Sequence, residues 1–168
     1  MHRSRGFSIV ELIVALGVLA ASFSTIYGAV ILADRSVTRA ARRTQALFIL
    51  EEAVEAMRYR RDSGWTANIA SPALTLSTTP NYCLTYVAGA YVLTATSPCP
   101  TAITANVKVA MNIQDVCRNS STGDIVGVTT GVCSGSTLDS DTKRVTVTAS
   151  WDQFTESVDF YIADLFGN

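Results

Sequence analysis

The sequence predicts an α+β protein in which a long N-terminal α-helix packs on a small antiparallel β-sheet head. Three observations support this fold class. An apolar run of 27 residues, from Phe7 to Ala33, contains a single charged residue, Glu11. A segment rich in helix-forming residues follows, and no proline interrupts it before Arg61. Beyond Trp65, apolar residues alternate with polar ones, as they do in strands with one buried face.

Composition excludes several classes of function. The 168 residues suffice for one domain and an anchor. The formal net charge is −1 and no basic region dominates, so we predict no nucleic-acid partner. The chain has one histidine, His2, and it lacks a G-x-S-x-G motif and a phosphate-binding loop. We therefore expect a structural protein rather than an enzyme, with no cofactor.

The apolar run can cross a membrane, because 27 helical residues extend about 40 Å and a bilayer core needs about 20 residues. A cleaved signal peptide ending near Ser22 is one interpretation, but the apolar residues continue to Leu32. A plain anchor is another, although arginines on both sides leave its orientation open. Neither explains Glu11, because an ionised glutamate in lipid costs roughly 2.5 kcal/mol or more.

Residues 5–12, RGFSIVEL, combine a basic start, a Gly-Phe junction and a glutamate five residues after the glycine, before a long apolar helix. This segment resembles the class III leader of type IV pilins and type II secretion pseudopilins. The resemblance implies that a prepilin peptidase cuts between Gly6 and Phe7, and that Phe7 is then N-methylated. It also implies a pilin-like fold, and a role for Glu11 in filament assembly.

Elementary electrostatics supports this role of Glu11. Cleavage would leave a cationic amine at Phe7, and a buried charge is tolerated only when it is paired. A bond between the amine of one subunit and Glu11 of the next would satisfy both groups and set the axial register. Pairing within one chain stays open, because four residues form about one helical turn. We favour the intermolecular pair, mostly because of the resemblance.

The sequence predicts four segments along the chain. Residues 1–6 form the leader, 7–33 the transmembrane and filament-core helix, 34–63 the amphipathic half of the helix, and 64–168 a disulfide-bearing β-rich head. We expect the helix to end near Asp62, with Gly64 as its cap. A stripe of apolar residues at helical spacing should pack on the head: Leu47, Leu50, Val54 and Met57.

Two glycines and a cluster of arginines mark the helix. Gly17 and Gly28 each weaken it by about 1 kcal/mol relative to alanine, which is consistent either with local unwinding in a filament or with close packing between helices. Many major pilins carry a proline where this chain has Gly28. The arginines, at positions 35, 39, 42 and 43, predict a solvated or headgroup-contacting face. Salt bridges to acidic neighbours in a filament, and DNA binding, are the alternatives.

Four segments of the head predict strands. Residues 82–96 are typical of a hairpin that turns at Gly89, and residues 106–113, 143–151 and 156–165 alternate apolar with polar residues. We expect Asp152 to Thr155 to connect the last two strands, which resemble the C-terminal hairpin of minor pilins and pseudopilins. Residues 117–143 are rich in Ser, Thr, Gly and Asp, and they predict an exposed loop.

The four cysteines favour disulfides over zinc, because they form no C-x-x-C pair and the head has no histidine. Disulfides in turn predict an exported head. Of three connectivities we favour the two local bridges, Cys83–Cys99 and Cys117–Cys133, each worth about 3 kcal/mol. Three aspartates could hold calcium, as in some pseudopilins: Asp124, Asp139 and Asp141. They lack the D-x-D-x-D-G pattern, so we predict no metal site.

These features together predict a structural subunit, of the minor kind, in a type IV pilus or pseudopilus-like filament. Before assembly it would be a single-pass protein of the inner membrane, and afterwards it would join other pilin subunits at the cell surface or in the periplasm. The alternative is a membrane-tethered extracytoplasmic binding module, or adhesin, that does not polymerise. Pilus, secretion pseudopilus and competence filament are equally compatible with the sequence.

Overall fold

The structure is a computed structural model that describes residues 8–70, 74–87, 90–95, 99, 107–151 and 154–165. It confirms the α+β fold class, with a long helix, α1 (Ile9–Asp62), followed in the chain by a six-stranded antiparallel sheet. The chain divides into two compact units, residues 1–44 and 45–168.

The first unit contains the apolar part of α1. Ser8 caps its start, since the Ser8 hydroxyl accepts a hydrogen bond from the backbone N–H of Val10 at 3.3 Å. The large apolar side chains from Ile9 to Leu19 are between 54% and 78% exposed. An 18-residue window of the helix has a mean hydropathy of 2.2 and contains no buried residue. By length and composition, the helix can therefore cross a membrane.

The second unit contains the last turns of α1, which bury a different face from the one that the sequence predicts. Leu50 and Met57 are buried as expected, but Leu47 is 46% exposed and Val54 is only half-buried. The remaining buried positions are Ala46, Ile49 and Ala53. Two of these are alanines, whose small side chains let the helix approach the sheet closely. The predicted stripe included only large apolar residues, so it missed the two alanines.

The helix ends where the sequence predicts. Its last residue is Asp62, and Gly64 follows with a φ of 137°, a conformation that L side chains rarely adopt. A short helix that the sequence did not predict, α2 (Trp65–Asn68), comes directly after this glycine. It places Trp65 and Ile69 in the core.

The strands are β1 (Tyr82–Val87), β2 (Ala90–Thr94), β3 (Lys108–Arg118), β4 (Ile125–Thr129), β5 (Thr137–Trp151) and β6 (Phe154–Ala163). Their order in the sheet is β2-β1-β3-β5-β6, with β4 paired to β3 beside this path. Both predicted hairpins, β1–β2 and β5–β6, are confirmed. Gly89 and Asp152 lie outside the described residues, whereas Phe154 and Thr155, expected in the connection, already belong to β6.

The alternating residues of the strands form the core, as predicted. Val109, Met111 and Ile113 of β3 are at most 2% exposed, and Val145 and Val147 of β5 are fully buried. They belong to one cluster with the buried residues of α1. Burial of each such side chain is worth about 1.5–3 kcal/mol, so this helix–sheet contact is a main source of stability for the second unit.

The segment from residue 117 to 143 is not a plain loop, so that prediction was wrong in part. It contains β4, and β5 begins within it at Thr137. Val116 pairs with Val128 across β3 and β4. The Cys117–Cys133 disulfide closes the part of the chain that contains β4. The β4 side chains are exposed or half-buried, as the polar composition suggests. Backbone pairing with the long strand β3 makes this segment a strand, and composition does not report such pairing.

Candidate assembly site

Glu11 lies in the first turn of α1, and its side chain is exposed. Its backbone N–H donates to the carbonyl oxygen of Ser8 at 3.0 Å. Ser8 occupies the N-cap position and Glu11 is the third helical residue, which is the spacing of a capping box, S-x-x-E. The four residues Ser8 to Glu11 display this signal in the sequence, although it was not among the predictions made from it.

The capping position gives Glu11 a local role beside the predicted one. A carboxylate in the first turn interacts favourably with the helix dipole, by about 0.3–1 kcal/mol. Its carboxylate belongs to the first turn, next to the end of the helix from which the chain continues to Phe7. Gly6 and Phe7 lie outside the described residues, so cleavage between them stays a prediction.

The apolar surface of α1 needs a cover. Apolar patches beyond a few hundred square ångströms mark contact with a membrane or another protein, and none of the described residues of the first unit buries the side chains from Ile9 to Leu19. A Cβ built at Gly17 or Gly28 would meet no atom within 4 Å outside the local helix backbone. The described chain therefore gives no internal packing reason for either glycine, and α1 stays helical through both.

The arginine cluster lies on the same helix, within the first unit. The side chains of Arg35, Arg39, Arg42 and Arg43 are all exposed. Arg35, Arg39 and Arg43 are spaced by four residues, so a continuous helix places them along one face. The solvated or headgroup-contacting role of this face stays a prediction.

Two disulfides bridge the head. Cys83 of β1 is bonded to Cys99, and Cys117 at the end of β3 is bonded to Cys133, with Cα atoms 5.3 Å and 5.7 Å apart. These are the two local bridges that the sequence analysis favoured. Cys83 and Cys117 are buried, so each bridge joins a flanking loop to the sheet.

Ion pairs account for several charged residues of the head. Lys143 and Asp115, which are neighbours across β3 and β5, form a buried pair. Arg118 donates to Asp139 at 2.5 Å. Partial burial raises the pKa of Asp139, but hydrogen bonds from Arg118, Thr142 and the backbone of Asp141 outweigh it, so the pKa is lowered overall.

Asp139 therefore acts as the partner of an arginine in this structure. It is one of the three aspartates considered as calcium ligands. Among the residues that the structure describes, no group of three His, Cys, Asp or Glu side chains is arranged to hold a metal ion.

The pKa of Asp159 is lowered as well, like that of Asp139. A hydrogen bond from Thr146 lowers its pKa first, burial opposes this, and Arg144 lowers the pKa further.

Comparison with known families identifies the N-terminal segment. Residues 1–27 match the family model described as the prokaryotic N-terminal methylation motif. The chain carries a prepilin-type leader. This prepilin-type chain joins the leader of type IV pilins and pseudopilins to a pilin-like α+β architecture. Searches of curated proteins and of solved structures found no match to it.

Proposed function

We propose that this prepilin-type chain is a structural subunit, of the minor kind, of a type IV pilus or pseudopilus-like filament. One observation supports this above all: the leader motif of residues 1–27 includes the start of a helix whose large apolar side chains, from Ile9 to Leu19, are exposed in the described part of the chain. A leader of this type prepares a chain for assembly, and an uncovered apolar helix requires lipid or neighbouring helices.

Processing comes first in this proposal. A prepilin peptidase cuts between Gly6 and Phe7, and the new amine at Phe7 is methylated. The helix from Phe7 to Ala33 holds the chain in the inner membrane as a single span until assembly. The disulfides are consistent with a head outside the cytosol, where such bonds persist.

Assembly then replaces lipid by other subunits. In the filament the amine of Phe7 pairs with Glu11 of a neighbouring subunit, so that both charges are satisfied in apolar surroundings. The position of Glu11 in the first turn supports this proposal, because its charge is held close to the N-terminal end of the helix.

N-terminal sequencing of the chain recovered from sheared filaments tests the proposal. We expect the mature chain to begin at Phe7 and to carry an N-methyl group. A filament subunit that keeps Met1, or that begins near Ser22, would refute it. Chain found only in the membrane, beginning at Phe7, would favour the alternative function, a membrane-tethered binding module that does not polymerise.

The minor role is a separate part of the proposal, and it rests on the resemblance of the last hairpin and on the disulfide-bearing middle of the head. Quantitative mass spectrometry of the same sheared filaments measures it. We expect this chain to be far less abundant than the most abundant subunit. Equal or greater abundance would make it a major subunit.

A further inference from the structure

A groove of about 860 Å³ opens within the second unit, between α1 and the β1–β2 hairpin. Its floor is apolar and includes Ala56, Leu84 and Leu93. Two large aromatic residues of α1 also line the groove and are well exposed, Phe48 at 61% and Tyr59 at 74%. Exposed aromatic groups beside an apolar floor are typical of a binding surface.

The helix side of the groove carries negative charge. Glu51, Glu52 and Glu55 line it, against a single basic lining residue, Arg60. Arg60 is already engaged at the end of the groove, where its guanidinium donates to the carbonyl oxygen of Asn68 at 3.3 Å. The groove as a whole therefore favours a cationic occupant.

The three glutamates differ in their present contacts. Glu52 accepts a hydrogen bond from the Tyr91 hydroxyl, and Glu55 pairs with Arg58 at 2.5 Å on the surface. Glu51 is exposed and has no ion-pair partner among the residues that the structure describes. Glu51 can thus accept a new cation without losing a bond, and Glu55 can share one, because an exposed pair is weak.

Arginine is the cation that fits this combination of groups. Its planar guanidinium binds carboxylates through two N–H groups and stacks on aromatic rings. Its aliphatic stem covers apolar surface while the charge stays in water. Phe48 and Tyr59 lie four residues before Glu52 and four after Glu55, so aromatic rings flank the acids along the helix.

We propose that this groove binds the arginine-bearing face of a second copy of the chain. The same sequence holds four arginines within residues 35–43, all of them exposed. Arg39 and Arg43 share the four-residue spacing of Glu51 and Glu55, about 6 Å along a helix. Two successive turns of one copy can therefore meet two successive turns of the other. This inference rests on the proposed filament function, and it adds the requirement that two copies lie side by side.

Cysteine cross-linking in sheared filaments tests this contact. The contact offsets the two helices by 12 residues, about 18 Å along their axes, and two copies anchored at the same depth in a membrane cannot adopt that offset. All four native cysteines are disulfide-bonded, so an introduced cysteine is a unique thiol. Full-length chains carrying Ala40→Cys and Ala56→Cys, each with a different tag, are co-expressed and treated with a short bismaleimide. Ala40 lies within the arginine cluster and Ala56 lines the groove. We expect a covalent heterodimer of the two tagged copies.

Charge reversal then shows whether the acids and arginines hold the contact. E51R/E55R in the Ala56→Cys copy should lower the yield about fivefold, and R39E/R43E in the Ala40→Cys copy should restore it, since two exposed pairs together are worth about 1 kcal/mol. The matched control is D124R/D141R, which adds the same charge at exposed positions outside the groove. It should leave the yield unchanged.

The outcomes separate this inference from the filament proposal. No heterodimer, a yield that E51R/E55R leaves unchanged, or a loss that R39E/R43E does not restore would each overturn the groove contact. Cross-linking of the Ala56→Cys copy to a different subunit instead would also overturn it, in favour of a heterologous partner. In each of these cases, a methylated Phe7 start in sheared filaments would still support the filament function.

Discussion

Glu11 can act within its own helix or across a subunit boundary, and two substitutions separate these roles. Glu11→Gln keeps a side-chain oxygen for capping but removes the charge, whereas Glu11→Ala removes both. If pairing with a neighbouring amine is the main role, both variants should enter the membrane normally and lose most of their incorporation into filaments. The measurement is the fraction of chain in sheared filaments relative to membranes.

The control for Glu11 is Asp34→Asn, which neutralises an exposed carboxylate elsewhere on α1. We expect this variant to assemble like the wild type. If Glu11→Gln assembled normally and Glu11→Ala did not, capping would be sufficient to explain the residue. The predicted bond to Phe7 would then be wrong.

At the scale of the element, the second half of α1 shows how a helix selects its buried face. Ala46 and Ala53 are fully buried, while the larger Leu47 is almost half exposed. Helical spacing alone predicted Leu50 and Met57 correctly. It could not predict which other positions of α1 contact the sheet. Those positions depend on how closely the helix backbone approaches the sheet, and small residues allow the closest approach.

Replacing one residue on each face of α1 tests this packing. Met57→Ala should lower the free energy of unfolding of the head by about 2–5 kcal/mol, because it leaves a cavity in the core. Leu47→Ala should change it by less than about 0.5 kcal/mol, because its side chain is mostly in water. Denaturant unfolding of the full chain in detergent, followed by tryptophan fluorescence, measures both. Equal losses in the two variants would contradict the observed orientation of the helix.

The strands show the same limit of sequence-based prediction. Alternation along β3, β5 and β6 predicted inward-facing residues, including Met111, Val147 and Ile162. It did not predict that both faces of β3 are buried from Met111 to Cys117. The strand β4 has no buried residue to create such a pattern. Its existence depends on backbone pairing with β3, and that pairing leaves no alternation of apolar and polar residues in the sequence.

At the scale of the whole molecule, sequence predicted a long N-terminal helix with an antiparallel β-sheet after it in the chain, as well as the leader that the family model matches. The leader could be predicted because it is short and contiguous, from Arg5 to Leu12. The groove could not, because its helix side and its floor come from residues some 40 positions apart, such as Glu52 and Tyr91. Only folding brings these side chains together.

The two bridges should stabilise the head independently. Replacing both cysteines of either pair, as C83S/C99S or C117S/C133S, should lower the free energy of unfolding by about 3 kcal/mol, since each bridge closes a 16-residue separation. The losses should add in the fourfold variant, because the two bridges share no residue. Denaturant midpoints with and without reductant measure these effects. Unchanged midpoints in both double variants would contradict the predicted stabilisation by the bridges.

The uncovered apolar side chains of α1 restrict how such a subunit could leave a bilayer. Releasing the helix into water would hydrate every large aliphatic group from Ile9 to Leu19, at a cost of about 1.5–3 kcal/mol for each one. No contact among residues 8–44 offsets that cost. Extraction would therefore have to be continuous, with acyl chains exchanged for adjacent helices as each subunit is withdrawn, and a dissolved monomer would not be an intermediate.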